Sequence, residues 1–459
     1  MDSSGGTTTQ DSGTVGAPAR RPRRLGIGVV VVGSVVVGLV AALVLPFLPV
    51  STVDVDVATA TVLLGFAVGW ASLAGLSAWL TDQPQRWALA PAAFMALSAV
   101  VVLLAPDAVV NGVLGWAWPP ALLVLVVWVV RRARRELHSR TRFLVLYPVL
   151  AVLVLFSVGG LYEKVGETTD TPAAAVGGRL VDVGPYRLHL ECTGSGNPTV
   201  VLEPGAGGSA ASMGLIAPAV ARETRVCVYD RAGRGWSDPA AAPPDGAQIA
   251  TDLHRLLARA HVPGPYVLAG HSFGGLYVRS YAAKYPDEVA GLVLVDSTAA
   301  RNDPVTAPEP GPDGVLRHVS SLFGATSRLG LGRLIAATSS GDLPPAYRDD
   351  ARTTAATAKQ MSGVLEEYGV ANRSAPEAGR LRSLDAKPLV VLTAERGSAP
   401  GWMADQDASA ELSTNSVHRV VPGATHASFV EDPDKAAAVS RAIQQVVTAV
   451  RSSAPLPSG

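Results

Sequence analysis

Cysteine is nearly missing from this chain: Cys192 and Cys227 are the only two in 459 residues. That excludes a disulfide framework and any metal site built on cysteines. Charge is scarce too. Asp, Glu, Lys and Arg make up 17% of the residues, against about 25% in a usual soluble domain. Acids and bases balance at 38 each, for a net charge of zero. No basic face is on offer to a nucleic acid, so no such partner is expected. What fills the chain is apolar: 48% of residues are hydrophobic and the mean hydropathy is +0.28, which points to membrane segments. The length allows two or three domains. Composition divides near residue 165, from Val, Leu and Ala to the mixture of a soluble domain.

Residues 1–24 read as a disordered cytoplasmic tail, rich in Ser, Gly and Thr and ending in Arg20, Arg21, Arg23 and Arg24. Residues 25–50 then carry no charge at all. A bilayer core about 30 Å thick needs roughly 20 apolar residues in a helix, and this run is long enough. It is too long for the apolar part of a signal peptide, and no A-x-A cleavage site of the usual kind closes it. Four further runs, about 57–80, 87–105, 108–130 and 142–162, make a transmembrane region of about five helices over 25–165. The third and fourth are the weakest, with Asp107 and Asn111 near their junction and Pro119–Pro120 inside the fourth. Arginine crowds one set of loops: Arg86 after the second span, and Arg131, Arg132, Arg134, Arg135, Arg140 and Arg142 after the fourth. The alternate loops carry none. The bias places the N-terminus in the cytoplasm, and five spans then place the C-terminal domain outside it. A multi-pass protein of the cell membrane is expected, with the bilayer as a partner.

From about residue 170 to 455, strand-like runs alternate with helix-like ones. The strands are expected at GGRLVDVG, YRLHLECTG, PTVVLEPG, TRVCVYD, PYVLAGHS, AGLVLVDS, PLVVLTAE and near 416–421; helices are expected near 211–222, 246–262, 274–285, 402–412 and 434–450. The predicted fold class is α/β: a mostly parallel eight-stranded sheet covered by helices. Residues 299–386 break the rhythm and read as a cap insertion.

Gly270-His271-Ser272-Phe273-Gly274-Gly275 fits G-x-S-x-G where a strand meets a helix. Such a turn lifts a serine hydroxyl clear of the sheet, and glycines two residues away let backbones pass close by. A serine needs a base. Of the eight histidines, His138 falls in the cytoplasmic loop, His189 and His254 look like sheet or helix-face residues, and His271 is adjacent with its side chain expected to point away. His426, in VVPGATHASF between the last strand and last helix, is the expected base.

On these residues, together with LEPGAGGS (202–209), YDRAGRGWSD (229–238), LVLVDS (292–297) and PGATH (422–426), residues 177–450 resemble the α/β-hydrolase superfamily, in particular its capped, serine-nucleophile, esterase- or lipase-like members. The resemblance implies an oxyanion hole made by the backbone N–H groups of Ala206 and Phe273, and a structural rather than catalytic turn at Asp230–Arg231. It implies an acid just after the strand that follows the cap, where this chain has Gly397. Two carboxylates could substitute: Asp296, the preferred one, and Glu395. The reaction implied is cleavage of a carboxylic ester or related acyl bond through an acyl-serine, on a small-molecule or lipid acyl substrate. No metal, cofactor or protein partner is expected. An apolar stripe in the cap, Leu322, Phe323, Leu329, Leu331, Leu334 and Ile335, could line an acyl pocket or form the cap's own core.

Other readings stand beside this one. Gly205–Ala210 fits G-x-G-x-x-A after a strand, with Asp230 about 20 residues on, the pattern of a nicotinamide-dinucleotide site. The displaced acid and large membrane region would also suit a catalytically silent sensor or scaffold. A transporter is disfavoured, because no ionisable residue sits mid-span. The resemblance places Cys192 and Cys227 on neighbouring strands, where they could pair outside the cytoplasm.

Overall fold

The computed structural model describes residues 25–48, 55–105, 108–170, 178–240, 244–300, 312–336 and 342–457. The arginine-bearing residues 20–24, residues 49–54, Asp107 and the first part of the expected cap, 301–311, lie outside them. Helices α1 (Ile27–Val44), α2 (Val55–Leu80), α3 (Leu89–Leu104), α4 (Gly115–Glu136) and α5 (Tyr147–Thr169) come first. With their adjoining turns they form five helical segments of 19 to 28 residues, long and apolar enough to cross a membrane. Pro119 and Pro120 do not break α4; Ser157 of α5 donates to the Pro119 carbonyl at 2.5 Å and ties the two helices together.

One expectation needs correction. Arg131–Arg135 do not lie in a loop, because α4 continues to Glu136 and Arg132 pairs with that residue one turn on, at 2.9 Å. The arginine-bearing end of α4 meets the loop after α2, where His138 N–H donates to Gln83 and Gln85 donates to the Glu136 carbonyl. The chain leaves α5 at the opposite end of the bundle.

The eight strands are β1 (Arg179–Asp182), β2 (Arg187–Thr193), β3 (Thr199–Glu203), β4 (Val226–Tyr229), β5 (Tyr266–His271), β6 (Val289–Val295), β7 (Leu389–Ala394) and β8 (Ser416–Val421). They form one sheet in the order β1-β2-β4-β3-β5-β6-β7-β8. β1 and β2 run antiparallel to their neighbours; every pairing from β4 to β8 is parallel. Between the strands lie α6 (Ala217–Val220), α7 (Gly246–Arg259) and α8 (Phe273–Lys284). The cap follows as α9 (Pro312–Ser327), α10 (Leu331–Ala336), α11 (Pro345–Ala355) and α12 (Ala358–Ala378). Then come α13 (Trp402–Ala410), α14 (Ser428–Glu431) and α15 (Pro433–Ser452). The helix expected at 211–222 is instead a short turn at Ala210–Met213 followed by the single-turn α6, because Gly214 and Pro218 interrupt it.

Unbroken Val and Leu runs make the central strands because both faces are covered. Val200, Leu202, Val267 and Val293 face Val439, Ile443 and Val446 of α15. Val201, Leu268, Leu292 and Leu294 face Leu253 and Leu256 of α7 and Val278 of α8. Ile443 is fully buried, and Ile443→Ala costs about 2–5 kcal/mol by cavity formation. Two of the helices that cover the sheet have a start signal: Asp245 caps α7 through Gln248 N–H at 3.0 Å, and Asp432 caps α15 ahead of Pro433. Cys192 and Cys227 oppose each other across β2 and β4 and are joined as a disulfide.

Candidate active site

Parallel strands deliver their carboxyl ends to one edge of the sheet, and ligands bind there in open α/β folds. Ser272 follows β5, Asp296 follows β6, and His426 lies in the loop between β8 and α14. His426 Nδ1–H donates to Asp296 Oδ2 at 2.6 Å, which leaves Nε2 to accept from the Ser272 hydroxyl at 2.9 Å. The structure therefore brings together three residues separated in sequence by 24 and 130 positions.

Ser272 holds φ 56° and ψ −123° between β5 and α8. A non-glycine residue in that region carries strain, and such strain marks functional turns. The turn is held by Ser272 N–H to the Val295 carbonyl at 3.1 Å, and by Gly275 and Thr298 N–H to the Ser272 carbonyl at 3.0 and 3.1 Å. A Cβ at Gly270 would strike the backbone of Gly274, and one at Gly274 the Glu203 carbonyl. Both glycines are therefore required by close approach.

Asp296 is buried and also sits at positive φ, 42°. Its Oδ1 accepts Ala394 N–H at 3.0 Å and the Trp402 indole N–H at 2.8 Å. Burial alone raises a carboxyl pKa. Here the bonds from His426, Ala394 and Trp402 outweigh burial and hold Asp296 below its ordinary value. Glu395, the other candidate acid, is exposed and accepts the Gly423 N–H at 2.7 Å, bracing the loop that carries His426. Gly397 is exposed, at φ 81°.

His271 has more to do than its sequence neighbourhood implied. Its ring lies 4.8 Å from that of His426, and its Nε2–H donates to the His426 backbone carbonyl at 2.9 Å. Burial, then the neighbouring His426, lowers its pKa to about 4. It is thus a neutral prop under the His426 loop.

Phe273 is the first residue of α8, so its N–H has no carbonyl a turn behind it. Ala206 lies in the loop after β3. The flanking amides of that loop are engaged: Gly207 N–H donates to Glu367 Oε2 at 2.6 Å, Gly208 N–H to the Gly205 carbonyl at 3.0 Å, and Ala210 N–H to Asp230 at 2.6 Å. Glu367 comes from cap helix α12. Its Oε1 accepts from Arg231 at 2.7 Å, and Arg231 in turn donates to the Pro204 and Gly205 carbonyls at 2.9 and 2.8 Å. Burial would raise Glu367, but Arg231 and Arg234 outweigh it and leave its carboxyl below the usual range. The cap carboxylate thus fixes the loop that bears Ala206.

Sequence reasoning missed Trp402, Glu367 and the prop role of His271. Only His271 carries a signal, its place between strand and serine; Trp402 and Glu367 act across 106 and 160 positions. The dinucleotide reading fails on geometry. Only a short turn follows Gly205–Ser209, and Asp230 is buried, bonded to His189, Ala210 N–H and Trp236 N–H rather than open to a ribose. Among the described residues, no cluster of three or more His, Cys, Asp or Glu is placed to hold a metal ion.

Several known proteins are similar to this chain. A pimeloyl-[acyl-carrier protein] methyl ester esterase of Chromobacterium violaceum is 30% identical over 204 residues, 44% of this chain and 73% of the esterase. An uncharacterized Schizosaccharomyces pombe protein is 30% identical over 221 residues, 42% of this chain; the chain spans only 39% of that relative's length. A thermophilic esterase from Thermogutta terrifontis superposes with a TM-score of 0.43 at 25% identity, over 59% of this chain and 99% of that one. Residues 198–433, just over half of the chain, match the family described as the alpha/beta hydrolase fold. The chain belongs to the α/β-hydrolase family.

Proposed function

We propose that this protein is a membrane-anchored serine hydrolase that cleaves a carboxylic ester or related acyl bond. The observation that carries the reading is the continuous line of hydrogen bonds from Asp296 through His426 to Ser272, ending on a serine held in a strained elbow. In this mechanism His426 takes the Ser272 proton as the hydroxyl attacks the carbonyl carbon. Asp296, kept ionised, stabilises the imidazolium and fixes its tautomer. The oxyanion is met by the Ala206 and Phe273 amides. His426 gives its proton to the leaving group, and water repeats the sequence on the acyl-serine. A serine at the elbow, rather than a carboxylate, favours acyl transfer over epoxide or haloalkane opening.

The five apolar helices serve as an anchor in this reading, with the hydrolase outside the cytoplasm. Two observations support that side: the hydrolase leaves the bundle at the end away from Arg131–Arg142, and Cys192–Cys227 is a disulfide, a bond that persists outside reducing compartments. The test uses the full-length protein in detergent with a fluorophosphonate probe. Labelling at Ser272 that is lost in Ser272→Ala and His426→Ala is expected. A folded protein that neither labels nor turns over short or long p-nitrophenyl esters would overturn the reading in favour of a silent sensor or scaffold.

A further inference from the structure

The cap is fastened to the membrane helices. Arg328, just after α9, forms an ion pair with Asp56 at the start of α2 and donates to Thr59 at 3.3 Å. Arg333 of α10 lies nearly buried between Glu163 of α5 at 3.0 Å and Asp170, the residue that follows α5, at 2.5 Å. His318 of α9 meets Phe47, beyond α1, with ring centroids 5.5 Å apart. The Leu329 carbonyl sits directly against Gly159 of α5, where any side chain would collide with it.

The depth of that last contact matters. The apolar segment Arg142–Thr169 has 28 residues, about 42 Å of helix at 1.5 Å per residue. That exceeds the hydrocarbon core by about 12 Å. Measured from Arg142, the first acid at the far end, Glu163, stands about 31 Å along, where the core ends. Gly159 stands about 6 Å short of it, inside the apolar stretch. The cap segment that touches Gly159 therefore reaches the hydrocarbon boundary. On the same arm Val319 and Phe323 of α9 and Leu331, Leu334 and Ile335 of α10 are each 40% or more exposed. Of the stripe read from the sequence, Phe323, Leu331, Leu334 and Ile335 are thus turned to the outside, while Leu322 and Leu329 are half-buried. Because α9 packs along α2 and the turn after α1, this apolar surface lies beside the spanning helices, and the occupant it fits is the acyl region of the bilayer. From this arm α12 runs on to the site, where Tyr368 packs on Phe273 beside Ser272 with ring centroids 5.1 Å apart.

We propose that the α9–α10 arm is seated in the bilayer interface and that the enzyme draws its substrate, a lipid acyl ester, from that leaflet. The substrate half rests on the serine-hydrolase reading; the seating does not. The test is made on the full-length protein in nanodiscs of palmitoyl-oleoyl phosphatidylcholine. Both native cysteines are in the disulfide, so Leu334→Cys supplies one thiol for an environment-sensitive NBD label. Blue-shifted emission, quenched by lipids with a shallow spin label, is expected; water-like emission indifferent to those lipids overturns the seating. For the substrate, 4-methylumbelliferyl palmitate in the disc is compared with 4-methylumbelliferyl butyrate in solution. In the double variant Leu334→Asp, Ile335→Asp the ratio of the two rates is expected to fall roughly tenfold, with fluorophosphonate labelling of Ser272 reporting that the variant is folded. An unchanged ratio overturns delivery from the leaflet. If the unaltered protein turns over neither ester and Ser272 stays unlabelled, the hydrolase reading falls and the substrate half with it, while the NBD depth still decides the seating.

Discussion

Replacing Asp296 with Asn tests the proposed triad most directly, because the structure dictates what each atom will do. Asp296 Oδ1 accepts two bonds, from Ala394 N–H and Trp402 Nε1–H, and Oδ2 accepts one, from His426 Nδ1–H. An asparagine keeps its carbonyl oxygen at the first position, where both donors hold it. Its NH2 group then faces His426 Nδ1. The imidazole responds by accepting at Nδ1 and carrying its proton on Nε2, which points at Ser272. A base with the proton already on its working nitrogen cannot take another. The shape is preserved and the chemistry is lost, for which a fall in kcat of about 10⁴, or about 5.4 kcal/mol, is expected. The assay is steady-state hydrolysis of p-nitrophenyl butyrate by full-length protein in detergent, with thermal unfolding to confirm the fold. Glu395→Gln is the matched control: Glu395 braces Gly423 from an exposed loop, and a change within about threefold is expected. A loss below about tenfold in D296N, or an equal loss in E395Q, would refute the assignment of the acid.

Trp402→Phe removes one donor from Asp296 while keeping the ring, and kcat should drop about three- to tenfold with KM little changed, read in the same assay. Glu367→Gln breaks the buried contacts with Arg231 and Arg234. It should lower stability by about 3–5 kcal/mol in thermal or denaturant unfolding, with a fall in kcat as the Ala206 loop loosens. His271, held at about 4 against an ordinary 6.5, is neutral in the folded protein; the unfolded chain takes up its proton first, so this residue's stabilisation is present above 6.5 and is lost as pH falls toward 4. Glu191 and Asp350, raised by burial to about 7 and about 6, act with the opposite sign, so only a difference isolates the effect: His271→Gln should flatten the acid side of the profile of unfolding free energy against pH, measured by denaturant unfolding, by on the order of 3 kcal/mol. Thiol titration under denaturing, non-reducing conditions should find no free cysteine, given the Cys192–Cys227 bond; two free thiols would remove that support for an extracytoplasmic hydrolase.

The parts of this molecule that read clearly from the sequence are those whose signal is local. A charge-free run of 26 residues admits few structures besides a membrane-length helix. Unbroken Val and Leu strands such as Leu389–Ala394 imply a sheet covered on both faces. Glycine on either side of Ser272 is a local consequence of backbones crossing at the elbow. The one-turn α6 escaped because apolar residues near 211–222 have helical spacing while Gly214 and Pro218 interrupt the backbone. The extent of α4 escaped because arginines end a membrane span without ending a helix.

The acid shows what local reading cannot reach. β6 and β7 are parallel neighbours, with Val295 paired to Leu392 and Asp296 N–H donating to the Leu392 carbonyl at 2.7 Å. Their carboxyl ends therefore arrive side by side beneath the same imidazole. A carboxylate on either strand end could serve His426, and this chain carries one on each, Asp296 and Glu395. What separates them is the surroundings each end meets. The end of β6 is buried and receives donors from Ala394 and Trp402, which favour an ionised acid. The end of β7 turns into solvent through Gly397, and its carboxylate is taken by Gly423. On the proposed assignment of Asp296, displacement of the acid from the expected position is compatible with a working site. Two adjacent strands in register can exchange the role, because the imidazole requires only that a buried, hydrogen-bonded carboxylate stand at its Nδ1.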